Sequence, residues 1–351
     1  MTRKITKHPD VSSLTPTALD LFRQAESDSF DLGIDWFRLL INTALGVQSR
    51  AAFYVLSDED RVYCILPVRI DDDAELFGLT TFYTSLFRPL LAEKATASDL
   101  SDLIRAVIRE SAAGYIRLDA LSTEHRSFSV TFDAMRRAGL RPYRYFSHAN
   151  WYQPVAGVSF AEYFAALSSR VRNTVKRREK KLLANGKGRI VIVSGDESAL
   201  KDAVAAWDQV YAASWKRSEP FPAFMPGLIE LGARRGWLRM GIAYYEEKPI
   251  AAQIWLVNAG RAAIYKLAYD EAFKRYSAGT ILTARLMRHV LDEDRVHEVD
   301  YLTGDDGYKQ DWMSCRRERE GIIAFDLKTL RGLRGAASQM LGGIIKRLKL
   351  R

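Results

Sequence analysis

The sequence predicts an α/β chain of two domains with mixed sheets. The chain has 351 residues, and single domains usually span about 100–200 residues, which favours two domains. Helix-like and strand-like segments alternate along the chain, and the hydrophobic content of 48% is enough to form a core in each half. We expect domains at residues 1–155 and 156–327, followed by a basic tail at 328–351.

The first half is expected to be mixed α/β after a polar start at residues 1–30 without regular structure. Two strand-like runs flank the acidic turn SDED, which is a hairpin signal, and a later helix stops at Gly139. No catalytic constellation is found in this half. The predicted elements are helices at 35–44, 98–112 and 124–138, and strands at 51–56, 61–69, 115–121 and 143–152.

The second half opens with one helix that starts at a capping box formed by Ser159 and Glu162. Apolar residues at helical spacing continue it to Leu182, and we expect the helix to end near Asn185–Gly186. Seven cations surround this apolar stripe, namely Arg170, Arg172, Lys176, Arg177, Arg178, Lys180 and Lys181. The patterns then predict a strand at 189–194, helices at 197–215 and 225–235, antiparallel strands at 238–245, 249–257 and 262–270, a helix at 279–292, and strands at 297–303 and 321–326.

Composition limits the function classes. The two cysteines and five histidines show no metal-ligand spacing, so no metal cofactor is expected. The N-terminus lacks a signal peptide and no apolar run reaches spanning length, so we expect a cytoplasmic protein. The formal net charge of +9 suits anionic partners such as CoA phosphates, an acidic acyl carrier protein, RNA or a membrane surface.

Three segments, together with the order of elements after residue 189, resemble the GNAT superfamily of acyltransferases. They are YFAALSSRVRNTVKRREKKL (163–182), AYDEAFKRYSAGTILTARLM (268–287) and DYLTGDDGYKQDWM (300–313). The first and third resemble a subfamily often described as cellulose or exopolysaccharide biosynthesis acetyltransferases. The third also resembles a signature of the Fem-type peptidyltransferases. The resemblance implies tandem GNAT-like domains, with a clear GNAT core in the C-terminal one.

A donor site is expected where a strand leads through a loop into a helix. Free N–H groups at a helix start favour a phosphate, and small residues let the backbone approach it. Lys274-x-x-Ser277-x-Gly279 resembles, in degenerate form, the GNAT loop that holds the CoA pyrophosphate. The resemblance thus implies an acyl-CoA co-substrate, acetyl-CoA or longer; an ordinary capped helix is the alternative. The residues assigned to donor binding are Leu267, Ala268, Lys274, Arg275, Ser277, Ala278, Gly279 and Thr280.

The third segment supplies the expected catalytic residues. Acyl transfer requires deprotonation of the acceptor and protonation of the leaving group. The resemblance places the acid at Tyr308, and Asp300 and Asp306 are candidate bases or amine binders. We assign substrate binding to Tyr269, Lys309 and Trp312, with pairing of Lys309 to Asp300 as an alternative. The alternative interpretation of this segment is structural: DDG forms a turn, Trp312 lies in the core and Lys309 is solvated.

The function expected from these features is transfer of an acyl group from acyl-CoA to an amine or hydroxyl of a small, glycan-linked or lipid-linked acceptor. One alternative is a Fem-like transferase that uses aminoacyl-tRNA, the only nucleic acid expected as a partner. Another is a non-catalytic module that binds an anionic partner through the basic helix, which is otherwise a solvated face. The tail carries seven cations and no acidic residue after Asp326; it either lies on the inner membrane surface or packs on the protein.

Overall fold

The computed structural model of the protein describes residues 3–72, 75–195 and 197–349, without the side chains of residues 197, 198 and 342–349. The chain forms two compact units. Unit 1 consists of Met1–His148 and Glu318–Arg351, and unit 2 of Ala149–Arg317. Both are mixed α/β, which confirms the predicted fold class. The domain ranges expected from the sequence differ from these units at residues 149–155, which belong to unit 2, and from residue 318 onward, where the expected domain end and the separate tail both belong to unit 1.

Unit 1 has a sheet in the order β1-β2-β3-β4-β6-β13, with β5 paired to β3. Neighbouring strands are antiparallel except β4 and β6, which are parallel. The elements that belong wholly or partly to this unit are β1 (Lys4–His8), α1 (Pro16–Glu26), α2 (Ile34–Thr43), β2 (Arg50–Ser57), β3 (Val62–Asp71), β4 (Glu75–Gly78), β5 (Leu90–Leu91), α3 (Ala97–Ser111), β6 (Tyr115–Ser122), α4 (Ser127–Arg137), β7 (Arg141–Pro154), β13 (Cys315–Phe325) and α10 (Leu330–Lys349).

The expectation of an irregular N-terminus was wrong, because β1 and α1 lie within it. Helix α1 buries a narrow stripe, and Phe22 is completely buried. Its ring meets Phe37 and Phe53 edge to face, with centroids 5.7 and 5.8 Å away. The sequence signal for α1 is weak, because its buried apolar residues are only Ala18, Leu21, Phe22 and Ala25, within a polar segment. Tertiary packing of these residues stabilises the helix.

Unit 2 has a sheet in the order β7-β12-β11-β10-β9-β8, in which residues 149–154 of β7 take part. All neighbours are antiparallel except β11 and β12. The remaining elements are α5 (Phe160–Ala166), α6 (Ser169–Leu182), β8 (Gly188–Val193), α7 (Glu197–Ala212), α8 (Phe224–Arg234), β9 (Leu238–Tyr245), β10 (Lys248–Asn258), β11 (Arg261–Tyr269), α9 (Ala278–Arg288) and β12 (Glu298–Asp300).

Helices cover both faces of the unit 2 sheet. On β9, a Cβ at Gly241 would lie 2.9 Å from Leu286 of α9, whereas Leu238 packs near Gly232 of α8. Odd and even residues of a strand point to opposite faces, so α9 and α8 lie on opposite sides. Gly241 therefore lets α9 approach the sheet closely. The predicted donor loop leads into this helix.

The sheet of unit 2 splits at β11. Strand β12 pairs in parallel with only the first three residues of β11, 261–263. Strand β10 pairs with β11 from Arg261 to Tyr269. Strand β12 is three residues long, shorter than the predicted strand at 297–303. Residues 264–269 consequently have a strand neighbour on only one side within the described sheet. This splayed edge opens the sheet beside the start of α9.

The single helix predicted from Ser159 to near Asn185–Gly186 is two helices, and the second ends at Leu182. Leu167 is extended, with φ −66° and ψ 158°, and Ser168 caps α6 by accepting a hydrogen bond from the Val171 N–H at 3.4 Å. The Ser159–Glu162 capping box is present at the start of α5. A second serine cap inside one apolar stripe thus ends one helix and starts the next.

The C-terminal tail is helical as far as Lys349. The side chains of Lys346, Arg347 and Lys349, together with Leu350 and Arg351, lie outside the described residues. Within the described part of the chain, no helix combines the length and the apolar character needed to cross a membrane.

The Ser168 cap yields a stability prediction. Ser168→Ala removes the acceptor of the Val171 N–H and should lower the free energy of unfolding by about 1 kcal/mol. Urea denaturation followed by circular dichroism measures this change. The neighbouring exposed Ser169→Ala, whose side chain makes no described hydrogen bond, is the matched control; an equal loss in both variants would contradict the capping role.

Candidate active site

The splayed edge of β11 and the start of α9 border a pocket of about 450 Å³ in unit 2. Six residues predicted as site residues line it, and the basic helix and a loop after α7 contribute further walls. The lining residues are Arg170, Val171, Thr174, Trp215, Gln253, Leu267, Tyr269, Gly279, Thr280, Thr283, Tyr308, Asp311 and Trp312. Elements far apart in sequence therefore meet at one place, as a substrate site requires.

The start of α9 presents free backbone donors. Ser277 has left-handed geometry, with φ 53°, and makes no side-chain cap. The first intrahelical bond runs from the Ile281 N–H to the Ser277 carbonyl at 3.1 Å. The N–H groups of residues 278–280 precede it and have no intrahelical acceptor, so the helix start can receive an anion.

Cations surround this helix start. Lys274 and Arg275 are exposed, and the Arg178 guanidinium of α6 donates to the Arg275 carbonyl at 2.7 Å. The Lys181 ammonium lies 5.5 Å from the ring centre of Tyr276. Two cations of α6 therefore contact the predicted donor loop. Lys274, Arg275, Ser277 and Ala278 border the helix start without lining the pocket itself.

The splayed edge of β11 offers backbone N–H groups to the pocket. The Asp270 N–H donates to Ile250 of β10 at 2.8 Å. Because the N–H direction alternates along a strand, the N–H groups of Tyr269 and Leu267 point away from β10, and that of Ala268 points toward it. Ala268 is 1% exposed. Of the two β11 residues assigned to donor binding, Leu267 therefore directs its N–H toward the open edge and Ala268 does not, and Tyr269 offers the second N–H.

Gln253 fixes the first turn of α9 to the sheet. The side chain is buried, and its amide donates to the Gly279 carbonyl at 2.7 Å and to the Thr283 hydroxyl at 2.9 Å. Its carbonyl oxygen accepts from the Trp255 indole at 2.9 Å. All these groups are satisfied, so this network holds the helix start rigidly against the splayed strand.

Tyr308 enters the pocket from the loop after β12. It is 44% exposed, its ring meets Tyr301 edge to face at 5.8 Å, and its hydroxyl has no hydrogen-bond partner among the described residues. Partial burial of the phenol raises the pKa of Tyr308 above its usual range, and the negative charge of Asp306 adds a smaller effect in the same direction. The phenol therefore remains protonated at neutral pH and is available as a proton donor.

Lys309 does not face the pocket, and its predicted role in substrate binding is corrected. Its side chain is 4% exposed, and the ammonium donates to the carbonyls of Thr303 at 2.6 Å and Gly304 at 3.3 Å. Burial lowers the pKa of Lys309, and the negative charge of Asp306 opposes this effect. The lysine holds the 303–309 loop in shape and thus positions Tyr308.

Asp300 is likewise a structural group. It is buried, bonds the Asn150 amide, accepts from the Leu302 N–H at 2.6 Å, and forms an ion pair with Arg317 at 2.5 Å. A carboxylate occupied in this way is not free to remove a proton from a substrate, so the predicted base is corrected to a positioning residue. Asp306 is exposed and lies 3.5 Å from Lys309, outside the pocket lining.

Sequence reasoning missed several pocket residues. The Trp215 ring lies against the Tyr269 ring, tilted by 43° with centroids 4.5 Å apart, and Trp215 is 48% exposed. Arg170 of the basic helix pairs with Asp311 at 2.5 Å. Beside Trp215, burial and the charge of Lys266 lower the pKa of Lys216 to about 8. Arg170 belonged to a noted charge run, but no motif marked Trp215 or Asp311.

Residues 169–310 match the family model described as "Acetyltransferase (GNAT) domain". The solved structure of FemX has a TM-score of 0.59 to this chain at 8% identity, covering 90% of this chain and 96% of FemX. A tandem GNAT protein from the clavulanic acid biosynthesis pathway has a TM-score of 0.54 at 10% identity, covering 91% and 98%. L-PGS from Bacillus licheniformis has a TM-score of 0.51 at 10% identity, covering 89% and 96%.

No curated protein sequence matches the chain. The structural similarities, all at low identity, establish the fold alone, a tandem GNAT-like architecture. The match to the GNAT domain model lies in the C-terminal part of the chain, at residues 169–310.

The role of Asp300 can be tested by stability. Asp300→Asn removes one of the two carboxylates that pair with Arg317 and leaves Glu298, at 2.8 Å, together with a hydrogen bond to the Asn150 side-chain oxygen. We expect a loss of about 3 kcal/mol in the free energy of unfolding, at the lower end of the cost of breaking a buried ion pair. Denaturant melts of Asp300→Asn and of the control Glu230→Gln, an exposed residue of α8 with no described ion pair, measure it. Unchanged stability in Asp300→Asn would contradict the structural role.

Proposed function

We propose that this chain, which carries a GNAT domain, is an acyltransferase whose active site is the unit 2 pocket. The observation that carries the proposal is the meeting of three features in one cavity. These are the splayed β11 edge, the uncapped start of α9 and the protonated Tyr308. Together they offer an anion site, backbone donors for an oxyanion and an acid, which are the groups that acyl transfer requires.

The donor in this proposal is an acyl-CoA thioester. Its pyrophosphate lies at the N–H groups of residues 278–280, with Lys274 and Arg275 adding charge from the exposed side. The acyl carbonyl then extends along the splayed edge toward Leu267 and Tyr269. This placement of the donor is supported by Gly279 and Thr280, which lie in the first turn of α9 and also line the pocket.

The reaction follows from these positions. The acceptor nitrogen or oxygen attacks the acyl carbon, and the carbonyl oxygen gains negative charge that the Leu267 or Tyr269 N–H stabilises. Collapse of this intermediate breaks the carbon–sulfur bond, and the thiolate takes the Tyr308 proton. The acceptor proton passes to a base. Asp306, an exposed carboxylate that acts on the pKa of Tyr308 through its charge, is the candidate for that role.

The acceptor in the proposal is a small amine or hydroxyl compound, or the end of a glycan or lipid-linked molecule. A pocket of about 450 Å³ admits a small molecule or a single terminal sugar. Trp215 and Tyr269 offer aromatic walls, and the Arg170–Asp311 pair offers charged groups to an acceptor. The sequence resemblance to exopolysaccharide biosynthesis acetyltransferases supports a sugar hydroxyl.

A second candidate donor is aminoacyl-tRNA, because the exposed face of α6 carries more positive charge than a CoA requires. Four exposed cations on it have no carboxylate partner among the described residues: Lys176, Arg177, Lys180 and Lys181. Arg178 links this face to the donor loop. A longer polyanion entering the same pocket would contact these side chains, and its binding would fall steeply with salt.

The two donors are separated by titration. If acyl-CoA is the donor, acetyl-CoA binds in the micromolar to millimolar range, and Lys176→Gln/Lys180→Gln changes its affinity little. If aminoacyl-tRNA is the donor, tRNA binds with a strong salt dependence that the same variant weakens. Calorimetry with each ligand at two salt concentrations decides. Binding of neither ligand would contradict the proposed enzyme function and favour a non-catalytic module.

The donor site is tested at Gly279. A Cβ there would meet only Tyr269, at 3.7 Å, so a larger residue fits the fold while covering the backbone that the phosphate approaches. We expect Gly279→Val to weaken donor binding at least ~10-fold, the loss of about one charge-assisted hydrogen bond. Gly46→Val, at a glycine of unit 1 with similar space, is the control. Equal donor affinity of Gly279→Val and wild type would overturn the site.

The acid is tested by Tyr308→Phe, which removes the proton donor and little volume. Turnover should fall by ~10²–10⁴-fold, the usual worth of general acid catalysis, with donor affinity retained. Since the pKa of Tyr308 is raised, the wild type should keep its turnover up to about pH 10, the ordinary phenol pKa, before this group ionises. Steady-state rates measured across pH check both statements. Near-normal turnover in Tyr308→Phe would remove Tyr308 from the mechanism.

A further inference from the structure

Helix α10 packs on unit 1 through its smallest residues. A Cβ at Gly332 would lie 2.0 Å from the Asp326 carbonyl oxygen and 2.7 Å from that of Gly114. A Cβ at Gly335 would lie 2.4 Å from the Phe325 ring, and Ala336 is 6% exposed. Close approach of the helix requires glycine at these two positions. Gly332 and Gly335 would weaken an isolated helix, but here they allow α10 to pack closely on unit 1.

The large apolar residues of α10 point away from the protein. Their exposed fractions are 75% for Leu330, 48% for Leu333, 54% for Met340 and 61% for Leu341. At 100° per residue these four positions lie on one side of the helix, distinct from the side of Gly332 and Gly335. The amphipathic arrangement is thus reversed relative to an ordinary surface helix, whose large apolar residues face the core.

The charge on this helix has one sign. Arg331 and Arg334 are exposed on the helix beside the apolar stripe, Lys328 is exposed two residues before the helix begins, and the sequence after Asp326 contains no acidic residue. Two copies of the helix packed together would bring like charges close, which disfavours self-association. An apolar stripe flanked by cations matches a surface that is anionic outside and apolar beneath it.

We propose that α10 binds the surface of an anionic lipid membrane, with Leu330, Leu333, Met340 and Leu341 entering the interface. Lys328, Arg331 and Arg334 then meet the lipid phosphates, and the glycine face keeps unit 1 attached to the helix. This association is peripheral and reversible, since the apolar stripe is short and the charge contribution is screened by salt. It is independent of the proposed acyl transfer.

The test is co-sedimentation of the full chain with vesicles of phosphatidylglycerol and phosphatidylcholine, and with vesicles of phosphatidylcholine alone. The variant Leu330→Gln/Leu333→Gln/Met340→Gln/Leu341→Gln alters only exposed side chains. The matched control, Val47→Gln/Phe146→Gln, alters residues of unit 1 that are 105% and 57% exposed. Circular dichroism melts establish that each protein is folded. A second variant, Lys328→Gln/Arg334→Gln, tests the charge without touching the apolar stripe.

We expect the wild type and the Val47/Phe146 control to bind anionic vesicles at low salt, with binding reduced by high salt and in neutral vesicles. The quadruple variant should bind at least ~10-fold more weakly, a conservative value for removing four apolar side chains from an interface. The double charge variant should also bind more weakly. The proposal is overturned if the wild type does not sediment or if the quadruple variant binds as well. It is also overturned if sedimentation without vesicles shows a dimer that the quadruple variant abolishes.

Discussion

The short parallel pairing of β11 with β12 is the constraint on which the site depends. Three residues of contact hold the strands together, after which the strands separate and leave the Leu267 and Tyr269 N–H groups at an open edge. The buried Asp300–Arg317 pair anchors the end of β12, and Leu302, with φ 53°, turns the chain away. The pocket, its backbone donors and the loop that carries Tyr308 all follow from this separation.

Two buried polar networks keep the opened sheet in one conformation. Gln253 joins β10 to the first turn of α9, and Lys309 satisfies carbonyls of the Tyr308 loop. Neither side chain needs to react with a substrate; each fixes backbone groups that do. A site preorganised in this way stabilises developing charge without further rearrangement. The positive surface of α6 then extends the anion-binding region outward from the helix start.

Most of the unit 2 fold was predictable because its strands alternate regularly and its hairpin connectors are short. The connectors contain residues with positive φ, Glu246, Glu247, Ala259 and Gly260, as tight hairpins require. Gly279, Thr280 and Tyr308 were predictable from contiguous motifs. The positions of Trp215, Asp311 and the Lys309 ammonium depend on partners distant in sequence. Periodicity also cannot tell which side of α10 faces unit 1, because that depends on Gly332 and Gly335 meeting a particular backbone.

Amide hydrogen exchange measured with and without donor shows whether an acyl donor binds at the start of α9 and along the splayed edge of β11. Saturating acetyl-CoA, or aminoacyl-tRNA under the second candidate, should slow exchange of the amides of residues 278–280 and of Leu267 and Tyr269. Exchange in unit 1 should change little. Protection confined to unit 1, or unchanged exchange at these amides with bound donor, would mean that the donor does not bind at this helix start and strand edge.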